Sequence, residues 1–101
     1  MSAININKNN FHSEILNSEK PVLLDFWAPW CGPCRMVLPT VEAIARENNH
    51  IKVGKINVDE EPELASQFKV FSIPTLIVME GGRILRQEVG ARPKHAILDM
   101  L

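Results

Sequence analysis

The sequence predicts an α/β fold in which a central sheet of about five strands is flanked by four helices. Three observations carry that reading. Val22-Leu23-Leu24-Asp25-Phe26-Trp27 is an apolar run broken by a single carboxylate. Such a run suits a central strand covered on both faces rather than an alternating, half-wet one. From Cys34 onward Met36, Val37, Leu38, Val41, Ile44 and Ala45 recur at helical spacing, so the strand feeds a long helix. Gly81-Gly82 separates two further strand-like runs and marks a hairpin.

In chain order, Ile4 and Ile6 alternate with polar residues and form a short first strand. Asn7 to Asn10 offer N-capping side chains, and Phe11, Ile15 and Leu16 give one face of a short helix. Residues 18–21 turn into the central strand, which Ala28-Pro29 breaks. The long helix runs to about Asn48 with Pro39 inside it. An interior proline normally ends a helix. Here the apolar phase of Val37, Val41, Ile44 and Ala45 continues across it, which predicts a kink rather than a stop. Residues 51–58 read as a third strand, ended by Asp59-Glu60-Glu61-Pro62, and residues 63–68 as a short helix with Leu64 and Phe68 spaced four apart. Residues 75–79 and 84–89 are the arms of the hairpin, and Gly90 ends the second. Pro93 opens a last helix with Ile97, Leu98 and Leu101 on one side. The order is β-α-β-α-β-α-β-β-α, without repeats, linkers or low-complexity tracts.

A chain of 101 residues with 46% apolar content suffices for one core, and residues 1–101 read as a single domain and a monomer. A net charge of −1 with no basic block argues against nucleic acid or an anionic membrane as partner. No apolar stretch approaches the length of a membrane span. Met1 to Asn7 has neither a basic n-region nor a long h-region, so no secretory signal is read there. With two cysteines and no export signal the expected compartment is the reducing cytoplasm, although the mature part of an exported protein would read the same.

Both cysteines fall in Trp30-Cys31-Gly32-Pro33-Cys34, at the junction of the central strand and the long helix. At i and i+3 of a first helical turn they share one face, about 5–6 Å apart, where a disulfide closes. Cys31 sits where unpaired N–H groups and the helix dipole favour a thiolate, so its pKa falls and it is the attacking sulfur. Cys34, one turn in, is more shielded and suited to resolve a mixed disulfide from within. Pro33 costs no hydrogen bond in the first turn and stiffens the ring. Two other uses of the pair are weaker. A structural disulfide here would close a very short loop, where the entropic gain is smallest. A zinc site needs four ligands, and His12, His50 and His95 show no ligand spacing to the pair. A lone C-x-x-C beside a βαβ pattern points to redox chemistry.

Residues 25–34, from Asp25 through Trp27, Pro29 and Trp30 to Cys34, closely resemble the thioredoxin family, and the element order resembles its fold over almost the full chain. That resemblance implies a mixed central sheet with helices on both faces and a kinked helix after the cysteines. It also implies a general protein-disulfide reductase that serves redox homeostasis without a bound cofactor or metal. Its partners are then a thioredoxin reductase, flavin- or ferredoxin-linked, and proteins with disulfides. Gly-Pro between the cysteines favours a reductant over an oxidase or isomerase. A non-catalytic scaffold that only docks a partner would not need Cys31, Cys34 and Asp25 together.

Residues around the sulfurs carry further expectations. A carboxylate in a doubly covered strand is costly unless paired or protonated, so burial raises the pKa of Asp25. Read locally, Asp25 is alternatively a strand-end residue bonded to nearby backbone. The resemblance makes it the proton acceptor for Cys34, acting through water. Gly32 and Pro33 tune the pair. Lys55 holds the position of a family lysine that tunes the Asp, and taken alone reads equally as a solvated surface lysine. Sequence alone predicts a trans Ile73–Pro74 bond, whereas the match of Val70-Phe71-Ser72-Ile73-Pro74-Thr75 to the family motif implies a cis proline facing the disulfide. Pro74 then excludes competing ligands, and the Ile73 backbone pairs with an extended substrate. Trp30, Gly32, Pro33, Val58, Ile73, Gly90 and Ala91 form the implied docking surface. Gly90 alone reads as a strand-end turn, and Trp27 as either a core residue or a platform beneath the site. Arg35 keeps a cation beside the disulfide, as the family usually does. Met79-Glu80-Gly81-Gly82 departs from the family's usual aromatic-basic-polar-glycine turn, so Glu80 bears on partner choice rather than chemistry.

Overall fold

Strands and helices alternate along the computed structural model, which describes residues 2–101. β1 (Ile4–Asn5) is followed by a π-helical segment (His12–Leu16), β2 (Val22–Trp27), α1 (Gly32–Glu47), β3 (Lys52–Asn57), α2 (Pro62–Gln67), the hairpin β4 (Thr75–Glu80) and β5 (Arg83–Val89), and α3 (Lys94–Leu98). The five strands form one sheet in the order β1-β3-β2-β4-β5. β1 and β2 run parallel to β3, and β4 and β5 are antiparallel, so the sheet is mixed. β2 lies at its centre, and Val22 to Phe26 are all buried, as the apolar run requires.

Side chains alternate along a strand and divide the core into two layers. Val22, Leu24 and Phe26 of β2 join Ile56, Ile77 and Met79, and are covered by Ile15 of the π-helical segment and by Leu64, Ala65 and Phe68. Leu23 joins Val53, Leu76 and Val78 on the opposite face, beneath Val37, Val41 and Ile44 of α1 and Ile97 of α3. Asp25, two residues from Leu23, therefore points to the α1 face. Lys55, two residues from Val53 and the direct neighbour of Asp25 across β2 and β3, points the same way.

Each turn has a local cause. Asn7 Oδ1 accepts the backbone N–H groups of Asn9 and Asn10 at 2.8 and 3.1 Å, and Asn7 N–H in turn donates to Asn10 Oδ1. The asparagines thus close the turn before the helical segment, while its N-cap position belongs to Phe11. Gly81 and Gly82 both have positive φ, 59° and 77°, the backbone that a two-residue hairpin needs. α1 runs unbroken through Pro39. Several strand ends differ from expectation by one residue, and the boundaries of α2 and α3 depart as well. α2 begins at Pro62, whose missing N–H is harmless in a first turn. α3 ends at Leu98, so Leu101 falls outside it and is 42% exposed, while Met100 fills the core position beside Ile97.

Candidate active site

Cys31 is the N-cap of α1, in extended conformation, and Cys34 lies in the first turn. Their Cα atoms are 5.2 Å apart and the sulfurs form a disulfide. The strand-to-helix junction of the sequence thus becomes a ring closed on the helix terminus. Cys34 N–H donates to Cys31 Sγ at 3.2 Å. This N–H is one of the helix's unpaired donors, and it would stabilise a thiolate at the same sulfur. Both sulfurs are nearly enclosed: Cys34 is fully buried and Cys31 keeps 4% exposure, less than an open nucleophile would show. The cover comes from Trp27, Val58 and Ile73, which pack against the pair with Ala28.

The Ile73–Pro74 peptide is cis, against the trans form expected from X–Pro bonds in general and in keeping with the family motif. Ile73 O lies 3.8 Å from Cys31 Sγ. Pro74 is buried, and its carbonyl accepts Gly90 N–H at 2.8 Å. Gly90 has φ +103°, a conformation that resists side chains, so its glycine has a backbone reason beyond ending β5. Gly90 is thereby tied to the proline loop. Trp30 is 67% exposed, with its indole N–H bonded to Asp59 Oδ2 at 2.9 Å. Gly32 and Pro33 are also accessible, and a Cβ at Gly32 would meet nothing within 4 Å. Arg35 donates to Pro29 O at 3.0 Å, which fixes the guanidinium against the loop before the cysteines.

Asp25 is fully buried, and neither carboxyl oxygen has a hydrogen-bond partner among the described residues. The local alternative, a strand-end Asp bonded to backbone, is excluded. Burial pushes its pKa up to about 7, while the Lys55 charge pulls it back only in part. Such a carboxyl takes up and releases a proton near neutrality. Lys55 is no free surface lysine: its Nζ is 2.8 Å from Glu42 Oε2, with 17% of the side chain exposed. Glu42 and Asp59 escape a reading of the sequence because they meet Lys55 and Trp30 only in the fold, 13 and 29 residues away. Among the described residues no cluster of His, Cys, Asp and Glu suits a metal ion, and no helix is long and apolar enough to cross a membrane.

The arrangement is a disulfide at a helix N-terminus, beside a cis-proline loop, with a buried carboxyl two residues along β2 from Trp27, which packs on the pair. The sequence model of the family described as Thioredoxin matches residues 2–101. A thioredoxin of Streptomyces clavuligerus is 48% identical over 94 residues, covering 93% of this chain and 88% of that protein. A bifunctional thioredoxin reductase/thioredoxin of Mycobacterium leprae is 49% identical over 96 residues, covering 94% of this chain and 21% of that protein. The solved structure of a mutant thioredoxin from Halobacterium salinarum superimposes with a TM-score of 0.90 at 33% identity, covering 98% of this chain and 87% of that one. The chain belongs to the thioredoxin family, and with its Cys31–Cys34 pair it is a protein-disulfide oxidoreductase working by dithiol–disulfide exchange.

Proposed function

We propose that Cys31, Cys34 and Asp25 divide the reaction among them. The Cys31 thiolate attacks one sulfur of a substrate disulfide, forming a mixed disulfide and releasing the other substrate sulfur as a thiolate, which takes a proton from water. Cys34 gives its proton through water to the Asp25 carboxylate, and its sulfur attacks Cys31 Sγ. The Cys31–Cys34 bond forms and the second substrate thiolate leaves. Two electrons pass from the dithiol to the substrate, and the oxidised ring is the form described here. The observation that carries this division is the position of the two sulfurs: one caps the helix and accepts an amide N–H, the other is sealed within the first turn.

The same reading assigns Trp30, Gly32, Pro33, Val58, Ile73, Gly90 and Ala91 to the docking surface, with the Ile73 backbone pairing to an extended substrate beside Pro74. Its support is the accessibility of these residues around Cys31 and the bond that joins Gly90 to Pro74. Reducing equivalents come from a thioredoxin reductase, a partner implied by the family and fused to the thioredoxin in the Mycobacterium leprae relative. The chain acts as a monomeric single domain in the cytoplasm.

Turnover of a protein disulfide, coupled in turn to a flavin-linked and a ferredoxin-linked reductase, tests the reading. The parent should turn over with one of them, and Cys31→Ser should lose nearly all activity. A Cys31→Ser variant that still turns over would overturn the assignment.

A further inference from the structure

We propose that Glu42 is a positioning residue for the proton step, holding the Lys55 ammonium away from Asp25 so that this carboxyl stays unpaired. The inference rests on the reading of Asp25 as proton acceptor. Asp25 and Lys55 are direct neighbours in the parallel register of β2 and β3, with side chains on the same face of the sheet. A buried carboxylate beside a lysine ordinarily takes it as partner, because each unpaired buried charge is costly. Here the two do not bond. Lys55 Nζ goes to Glu42 Oε2 at 2.8 Å, and both Asp25 oxygens are left without a partner.

Glu42 is itself held from two sides. Its Oε1 accepts Ala3 N–H at 2.9 Å, so the N-terminal segment fixes the carboxylate that holds the lysine. Burial pushes the Glu42 carboxyl up, but the bonds from Lys55 and Ala3 and the charges of Lys55 and Arg46 outweigh it and leave it below its ordinary value. It therefore stays ionised wherever Asp25 titrates. The other groups around the pair are Arg46 on α1 and Glu60 after β3, which lines a shallow cavity of about 300 Å³ with Lys55, Trp27 and Asn5. Cys31 and Cys34, at the start of α1, are joined as a disulfide and carry no charge. None of these supplies Lys55 with a second bond.

The consequence is kinetic. A carboxyl paired with an ammonium is a weak base, and one left to burial alone has a pKa near the working pH, where proton transfer is most effective. Glu42 sustains the second condition while Lys55 still moderates the cost from a distance.

The test is the titration of the Asp25 carboxyl, followed by carbon NMR in oxidised full-length protein. Glu42→Gln keeps an oxygen for Ala3 N–H and removes the charge that holds Lys55. It should lower the Asp25 midpoint by on the order of one pH unit and move the matching limb of the pH–rate profile with it. Glu42→Asp keeps the charge but gives up the reach, and should also lower the midpoint, by less. In a Lys55→Gln background both shifts should vanish, because Glu42 acts through the lysine. An unmoved midpoint in Glu42→Gln, or a shift that persists undiminished without Lys55, would overturn the inference. Failure of the underlying reading looks different: Asp25→Asn would then leave the exchange rate unchanged while the midpoint in the parent still answered to Glu42.

Discussion

Replacing Asp25 with asparagine should make the protein more stable at neutral pH and slower as a catalyst. The carboxyl has a pKa of about 7 in the folded chain against an ordinary 3.8. Folding is thus linked to proton uptake. The folded state holds the proton more tightly, so the stabilising bias is complete below pH ~4 and is lost as pH rises toward ~7. A gap of roughly three units, at about 1.4 kcal/mol each, puts the neutral-pH penalty at about 4 kcal/mol. Asparagine carries no charge to desolvate, but its amide enters a site that offers neither oxygen of Asp25 a partner, costing about 1–3 kcal/mol. The net gain at pH 7 is therefore about 1–3 kcal/mol. Denaturant melts of the oxidised proteins, in which the sulfurs do not titrate, should show the advantage shrinking below pH 6 and vanishing or reversing near pH 4. In a reductase-coupled assay the variant should be slower, because Cys34 has lost its proton acceptor. A stability difference that is the same at pH 4 and pH 7 would refute the linkage. A less stable variant with an unchanged rate would remove Asp25 from the mechanism.

Cys34→Ser should still attack disulfides and accumulate mixed disulfides with its substrates, visible on non-reducing gels; faster alkylation of Cys34 than of Cys31 in the reduced parent at neutral pH would reverse the two roles. Reduction should raise tryptophan emission, since Trp27 packs against the Cys31–Cys34 pair and a disulfide quenches at contact. The change should be absent from Cys31→Ser/Cys34→Ser, and equal emission from both redox states of the parent would be incompatible with that packing. Gly54→Ala should destabilise, because a Cβ there would lie 2.8 Å from Ile6 Cγ1 and 3.1 Å from Leu24 Cδ2. Overpacking at this site, less the gain from a stiffer unfolded chain, leaves a loss of about 1–2 kcal/mol in denaturant melts.

The parts of the fold that were legible are those with a local cause. Six residues of β2 announce a doubly covered strand by composition alone, and α1 announces itself by the period of Val37, Val41 and Ile44, strong enough to carry through Pro39. Gly81-Gly82 specifies its turn because two consecutive positive φ angles suit little else. The π-helical form of residues 12–16, closed by Asn17 N–H bonding back to His12 O at 3.0 Å, has no comparable signature. Leu101 likewise has no local signal for where it sits. Helical spacing puts it with Ile97, but α3 stops at Leu98 and Met100 takes the inner position.

The site divides along the same line, and its division explains why the sequence tells more about the electrons than about the proton. Cys31 and Cys34 are three residues apart on one helical turn, so their pairing follows from spacing. The buried state of Asp25 follows from its apolar neighbours in β2. Its lack of a partner does not, because that depends on where the adjacent lysine goes. Lys55 has two carboxylates in reach of its strand position, and the choice between them is made by α1 and by a backbone N–H near the start of the chain. A spacing rule reaches across one helical turn or one strand pleat, whereas this choice joins α1, β2, β3 and the residue before β1. The disulfide is thus carried by a short motif, whereas the raised pKa of Asp25 is a property of the assembled sheet and helix.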